Sequence, residues 1–308
     1  MRNVEKLQTL LKTYEKITII GHDNIDVDAF ISGILLSNLL KFLGIENEFL
    51  ILEKVKEDET YHIVKEIFNI DMKNYYSSEE CSKRKLFLED HYETLHEGEV
   101  IACLDHHLTE DMIVNKYPFY HSRVSCSASY MVYEMMLDAG YIISKEEAKM
   151  ILVSMLIDTV SFRSRKTVKS EVMDAKKLCK QYDLAYDELE KYCLCLTPVD
   201  TLSTKQIINN GYKYHNYYGK RVKSSYIQIY GNLEEAKISR CINDIVERLK
   251  REKLEMWVFI VLECKDEITY EYRITQSSIE KVKSRGILSR GTNIMPKIEK
   301  ILKQKNGV

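Results

Sequence analysis

Residues 17–44 read ITIIGHDNIDVDAFISGILLSNLLKFLG. A short apolar run rich in isoleucine stops at Gly21 and His22, Asp26 and Asp28 follow two apart, and an apolar helical pattern begins at once and closes on Gly44. A run of that length and composition predicts a buried strand, and the glycine predicts a helix C-terminus. His22, Asp26 and Asp28 therefore sit where a strand hands over to a helix, the edge at which open α/β sheets bind ligands.

The same alternation continues outward. NEFLIL, KLFLED and VIACLDHH read as further strands, and SASYMVYEMMLDAG, SKEEAKMILVSMLIDT and KTVKSEVMDAKKLCKQYDL as helices. The expectation is an α/β domain built on a mostly parallel sheet flanked by helices, over 1–188. A linker is expected over 189–200, and a smaller C-terminal α/β domain over 201–308. That second domain should hold the strands SSYIQIYGNL, LEMWVFIVLECKD and ITYEYRITQS and the amphipathic helix LEEAKISRCINDIVERLKREK.

Composition narrows the class. Lys and Arg total 45 against 47 Asp and Glu, so no global basic footprint points to nucleic acid. No apolar run approaches the ~20 residues needed to span a bilayer, and the N-terminal segment lacks the pattern of a secretory signal. A cytoplasmic protein is expected. Eight cysteines are scattered without a C-x-x-C pair, which favours reduced thiols over a disulfide framework or structural zinc.

Strand ends gather the chemistry. The first supplies His22, Asp26 and Asp28, KLFLED supplies Asp90, VIACLDHH supplies Asp105, His106 and His107, and Asp158 ends an apolar helix. Taken singly, each has an ordinary reading: Asp28 as a helix N-cap, Asp90 as a turn residue, Asp105 as a partner for a histidine. Taken together they crowd several carboxylates along one rim, which is stable only with cations among them. Imidazole and carboxylate without thiolate suit Mn2+, Co2+ or Mg2+, and two such ions form a clamp for phosphoryl chemistry.

With these residues in view, the chain resembles the DHH phosphoesterase superfamily, named for the triplet seen here as Asp105-His106-His107. Within it the sequence is most similar to the manganese-dependent family II inorganic pyrophosphatases. GHDNIDVDAFISG resembles that family's G-H-x-N-P-D-T-D-x-x-x-S, LEDHYE its V-D-H-N-E, and CLDHH its I-D-H-H. LIDTVSFRSRKT resembles its S-D-(S/T)-x-x-F-K-S-P-T, and GILSRGTNIMP its G-V-V-S-R-K-K-Q-V-V-P.

The resemblance implies an active site between two domains, with two divalent cations, Mn2+ foremost. His22 and Asp26 would hold one ion, Asp28, His106 and Asp158 the other, and Asp90 would bridge them. His107 would face the substrate phosphate, and Lys205, Ser289 and Arg290 would bind it. Gly291 stands where the family has a second lysine, and Arg163, Arg165 and Lys166 could restore that charge or admit a larger substrate. Pyrophosphate hydrolysis is the leading expectation.

The alternatives are a DHH phosphodiesterase or phosphatase acting on short oligonucleotides, cyclic dinucleotides, polyphosphate or another small phosphorylated molecule, and a catalytically silent sensor of metal or nucleotide. The glycine-rich G-G-G-H motif of the phosphodiesterase relatives does not occur, which lowers the first of these. By analogy, the partners are a small phosphorylated substrate, no membrane, and a second copy paired through an edge strand of the first domain.

Overall fold

A computed structural model describes residues 3–79, 81–94, 96–107, 117–164, 167–194, 199, 202–231 and 234–305. The chain divides into two compact units between Leu189 and Glu190, with Arg163 and Ser164 belonging to the second. The division falls inside helix α7 (Tyr186–Leu194), so the first half of the expected linker is helical.

In the first unit, helix α1 (Asn3–Leu11) precedes five strands: β1 (Ile17–Ile20), β2 (Asn47–Leu50), β3 (Lys85–Glu89), β4 (Glu99–Asp105) and β5 (Phe119–Ser122). They pair in the order β2-β1-β3-β4-β5, every pair parallel. The strand residues of β1 are all buried, and so are most of those of β3 and β4. That is why they read as continuous apolar runs instead of alternating ones. This order matters for function. It sets β1, β3 and β4 side by side, and because they run in parallel, the residues that follow Ile20, Glu89 and Leu104 emerge at one edge.

Helices α2 (Val27–Phe42), α3 (Glu59–Phe68), α4 (Ala128–Ala139), α5 (Lys145–Asp158) and α6 (Lys169–Tyr182) complete the unit. Helix α2 packs against both α4 and α5, so it is apolar almost all round. It starts with Asp26, whose side chain accepts a hydrogen bond from Ala29 N at 3.0 Å. Asp26, not Asp28, is thus the cap. Gly33 lets the helix approach β2: a Cβ there would overlap the Phe49 ring, with Cδ2 at 2.7 Å.

The second unit is a five-stranded mixed sheet. Its strands are β6 (Lys213–Tyr217), β7 (Lys220–Ile229), β8 (Met256–Glu263), β9 (Ile268–Ile274) and β10 (Ile279–Arg285), in the order β10-β9-β8-β7-β6. Only β7 and β8 run parallel, joined by the crossover helix α9 (Glu235–Arg251). Its apolar stripe of Cys241, Ile245 and Leu249 packs with Trp257 and Phe259 of β8. The short helix α8 (Thr204–Ile208) adds Ile207 and Ile208 to that core, and α10 (Met295–Lys305) closes the described chain. Strand β10 was not expected. IEKVKSR carries no apolar face and is held by its antiparallel register with β9.

Replacing Gly33 by valine should destabilise the protein by about 1–3 kcal/mol, because the added methyls must displace the Phe49 ring within a packed core. Denaturant unfolding of the variant measures this, and an unchanged midpoint would contradict the packing described.

Candidate metal centre

Each strand end delivers its side chains for a local reason. His22 and Asp26 lie in the turn from β1 to α2, and Asp28 in the first turn of α2. Asp90 follows β3 directly and adopts a left-handed backbone (φ 63°), which turns the chain off the sheet edge. Aspartate tolerates that conformation better than most side chains, and strained backbone of this kind gathers at functional sites. His106 and His107 follow β4, and Asp158 is the last residue of α5.

Two of the groups of potential ligand atoms that result are His22, Asp26 and Asp90, and Asp28, His106 and Asp158, with the atoms of each group within 4.8 Å of one another. Asp90 stands at both. Its Oδ2 lies 3.7 Å from His22 Nε2, and its Oδ1 lies 3.1 Å from His106 Nε2. His22 Nε2 is 3.5 Å from Asp26 Oδ2, and His106 Nε2 is 3.7 Å from Asp28 Oδ2 and 3.6 Å from Asp158 Oδ2. Among the described residues, no lysine or arginine forms an ion pair with Asp26, Asp28 or Asp90.

The ring orientations fit cation ligands. His22 Nδ1 lies 2.9 Å from the Asp23 carbonyl and His106 Nδ1 lies 3.1 Å from the Ser125 carbonyl. A carbonyl only accepts, so each Nδ1 carries a proton and each Nε2 faces the carboxylates, where it holds a second proton that a cation would displace to reach the lone pair. His107 is built differently. Its Nδ1 donates to Asp105 Oδ1 at 2.8 Å, and its side chain is about half exposed (53%). His107 also falls in a group with Asp90 and His106. The Asp105 bond engages its near nitrogen, so a role toward a bound molecule suits it better.

Asp28 is buried and held by groups the sequence gives no hint of. Ala128 N donates to Oδ2 at 2.7 Å, while Ser129 N (3.0 Å), Ser129 Oγ (2.7 Å) and Ser154 Oγ (2.5 Å) donate to Oδ1. The N-terminus of α4 therefore points at this carboxylate and stabilises its charge. Ser129 and Ser154 lie 101 and 126 residues from Asp28, and no local pattern could have selected them.

Crowding shows in the protonation equilibria of the metal-free protein. Burial opposes the His22 charge, but Asp26 and Asp90 overcome it and push the imidazole up to about 10. Burial and then Asp90 push Asp28 up to about 6. His106 is also raised well above its ordinary value: burial opposes its charge, and Asp158, Asp90 and Asp28 outweigh burial. For His107 burial opposes the charge, but the hydrogen bond it donates to Asp105, together with the charges of Asp90 and Asp105, outweighs burial and raises the ring. Fully buried Glu89 is pushed well above the carboxylate range, burial first and then the charges of Asp90, Asp28 and Asp105.

In the second unit, Arg290 donates to the Gly211 carbonyl and lies over the Tyr226 ring, 5.3 Å from its centroid. Among the described residues it has no carboxylate partner. Lys205 is exposed on α8, and Ser289 caps the π-helical turn Arg290–Ile294. Arg163 instead pairs with Glu190 at 3.0 Å and Glu267 at 3.8 Å. Arg165 and Lys166 lie outside the described residues.

Mn2+ requires deprotonated ligands, so binding should release protons, and affinity should climb from about pH 6 to about pH 10, the range over which Asp28 and His22 lose theirs. The metal-free protein should behave oppositely. His22 stability is full below its unfolded value of 6.5 and lost as pH rises toward about 10, and that of Asp28 is lost as pH rises through about 6. Melting curves with and without Mn2+ should therefore diverge as pH rises, and parallel curves would refute this. Replacing Glu89 by valine should stabilise the metal-free protein by about 1–3 kcal/mol, since it removes a buried acid. A lower melting temperature would show that Glu89 has a partner worth keeping.

Comparison with known proteins agrees with this geometry. Residues 16–157 match the family model described as the DHH family, N-terminal domain. A manganese-dependent inorganic pyrophosphatase of Methanothrix thermoacetophila is 23% identical, over 94% of this chain and 99% of its own length. One from Methanocaldococcus jannaschii is 24% identical, over 92% and 98%. The crystal structure of a Methanococcus jannaschii protein assigned to the family II inorganic pyrophosphatases superposes with a TM-score of 0.69 at 22% identity, over 92% of this chain and 98% of that one. No described helix is long and apolar enough to cross a membrane. Residues 16–157, which bring His22, Asp28, Asp90 and the Asp105-His106-His107 triplet to one sheet edge, are thus similar to the N-terminal domain of the DHH family.

Proposed function

We propose that this chain is a divalent-metal-dependent phosphohydrolase whose preferred substrate is inorganic pyrophosphate. The observation that carries the reading is the placement of Asp90, whose two carboxylate oxygens face separate groups of ligand atoms. In this reading His22, Asp26 and Asp90 hold one ion, and Asp28, His106, Asp158 and Asp90 hold the second. Mixed imidazole and carboxylate donors suit Mn2+, the metal that names the similar pyrophosphatases. Such a pair, when bound, supplies Lewis acidity and lowers the pKa of water.

The chain's own groups do the rest. Asp105 orients His107 and favours its protonated form, so that His107 Nε2 can hand a proton to the departing phosphate oxygen. Asp28, fixed by four hydrogen-bond donors, and His106, fixed by the Ser125 carbonyl, keep a constant geometry through the cycle. Lys205 and Arg290 take the substrate's negative charge. Arg290 is suited to this because its guanidinium engages a carbonyl and a ring but no carboxylate. Similarity to named pyrophosphatases over more than nine-tenths of the chain supports pyrophosphate over larger phosphoesters.

Phosphate release with Mn2+ should be fastest on pyrophosphate in a panel that includes tripolyphosphate, a dinucleotide and a simple monoester. Asp90→Ala should lower the rate by more than about 100-fold, beyond the range of outer-shell changes. Faster turnover of the dinucleotide or tripolyphosphate would overturn the substrate assignment. Equal rates for wild type and Asp90→Ala would overturn the hydrolase.

A further inference from the structure

Residues 123–127, between β5 and α4, contribute no ligand atom to the metal centre, yet they fix one side of it. The Ser125 carbonyl accepts the His106 Nδ1 proton at 3.1 Å. Just beyond, Ser127 caps α4, whose Ala128 and Ser129 amides hold the Asp28 carboxylate. One short loop thus sets the position of two members of the Asp28, His106 and Asp158 group. It makes no such contact with His22 or Asp26.

What holds the loop is Glu171, in the first turn of α6 and 3% exposed. Its Oε2 accepts from Cys126 N at 2.6 Å and Ser125 Oγ at 3.0 Å, and its Oε1 accepts from Arg123 Nη1 at 2.6 Å and Ser125 Oγ at 3.1 Å. Burying a carboxylate is costly unless its lone pairs are engaged. Here both oxygens are engaged, and all of these donors belong to the 123–127 loop. Glu171 lies 46 residues from Ser125, so only the packing of α6 brings it there.

We propose that Glu171 is a positioning residue that sets the affinity of one metal site and not the other. Through the 123–127 loop it holds His106 and Asp28 on the ion shared with Asp158, and it leaves the ion of His22 and Asp26 untouched. The inference rests on the two-metal reading. Replacing Glu171 by glutamine sets an amide donor opposite either Cys126 N or Arg123 Nη1, which can only donate themselves. The loop must then shift, and the Ser125 carbonyl and the α4 N-terminus shift with it.

The test is titration of the metal-stripped, full-length protein with Mn2+, read from the paramagnetic resonance of the free ion and from calorimetry. Wild type should bind two ions. Glu171→Gln should keep one at wild-type affinity and weaken the other about 10–100-fold, the usual effect of losing an outer-shell partner. Adding Asp26→Asn to Glu171→Gln should abolish tight binding, because the two changes strike different ions. The Mn2+ concentration for half-maximal phosphate release should rise in Glu171→Gln, with kcat recovered at saturation. Ser125→Ala, which keeps the backbone carbonyl and the buried charge, should show a smaller loss at the same site. It decides the matter if Glu171→Gln does not fold. Equal weakening of both ions, or no weakening of either, in a variant with wild-type circular dichroism would overturn the role of Glu171. Fewer than two ions in wild type would overturn the two-metal reading itself.

Discussion

Like charges at close range are the constraint around which the first unit is organised. Asp26, Asp28, Asp90 and Asp158 converge on three histidines, and no lysine or arginine among the described residues neutralises the first three. Without cations, such a group is tolerated only by shifting protons and by recruiting dipoles. The structure does both. His22 and His106 are driven toward their charged forms, Asp28 is driven toward its neutral one, and Asp26 and Asp28 each lie at a helix N-terminus. Two divalent cations would relieve the same repulsion without protons, so the metal-free state stores what binding can release.

The parallel sheet makes this convergence possible. In an antiparallel arrangement, neighbouring strands would send their C-terminal ends to opposite edges. Here the order β2-β1-β3-β4-β5 stacks three strand ends that carry acids and histidines in a row. The left-handed Asp90 then turns its carboxylate between His22 and His106. A left-handed run, Val160, Ser161 and Phe162, follows Thr159, the residue after Asp158. Backbone of that kind is unfavourable for a β-branched valine. It ends α5 abruptly, so that Asp158 stands at the helix terminus.

The two histidines of the triplet show how one motif divides its labour. His106 is buried and has its Nδ1 proton on a backbone carbonyl, which suits a fixed ligand. His107 is half exposed and has its Nδ1 proton on a buried carboxylate, which suits proton transfer. The difference lies entirely in what faces Nδ1. In the second unit, Arg290 follows the same economy. It is stacked on Tyr226 and anchored to a carbonyl, with no carboxylate partner among the described residues.

Taken alone, the sequence determined the α/β class, the strand that ends at His22, and the set of acids and histidines at the sheet edge. Those features are local: apolar runs of strand length, helical periodicity, and polar residues placed at the ends of each. Strands β5 and β10 were not legible, because FYHS and IEKVKSR carry no distinct apolar face and form only when a neighbour offers its hydrogen bonds. Asp28 read equally well as a cap, and only the approach of α4 and Ser154 shows that Asp26 caps α2 while Asp28 is held from across the fold. Ser125 and Glu171 were silent for the same reason. A hydrogen bond between residues 46 apart leaves no trace in spacing, and its geometry exists only once α6 packs against the loop. Residue type sets what a side chain can do, and the packing of distant segments sets which neighbour it does it to.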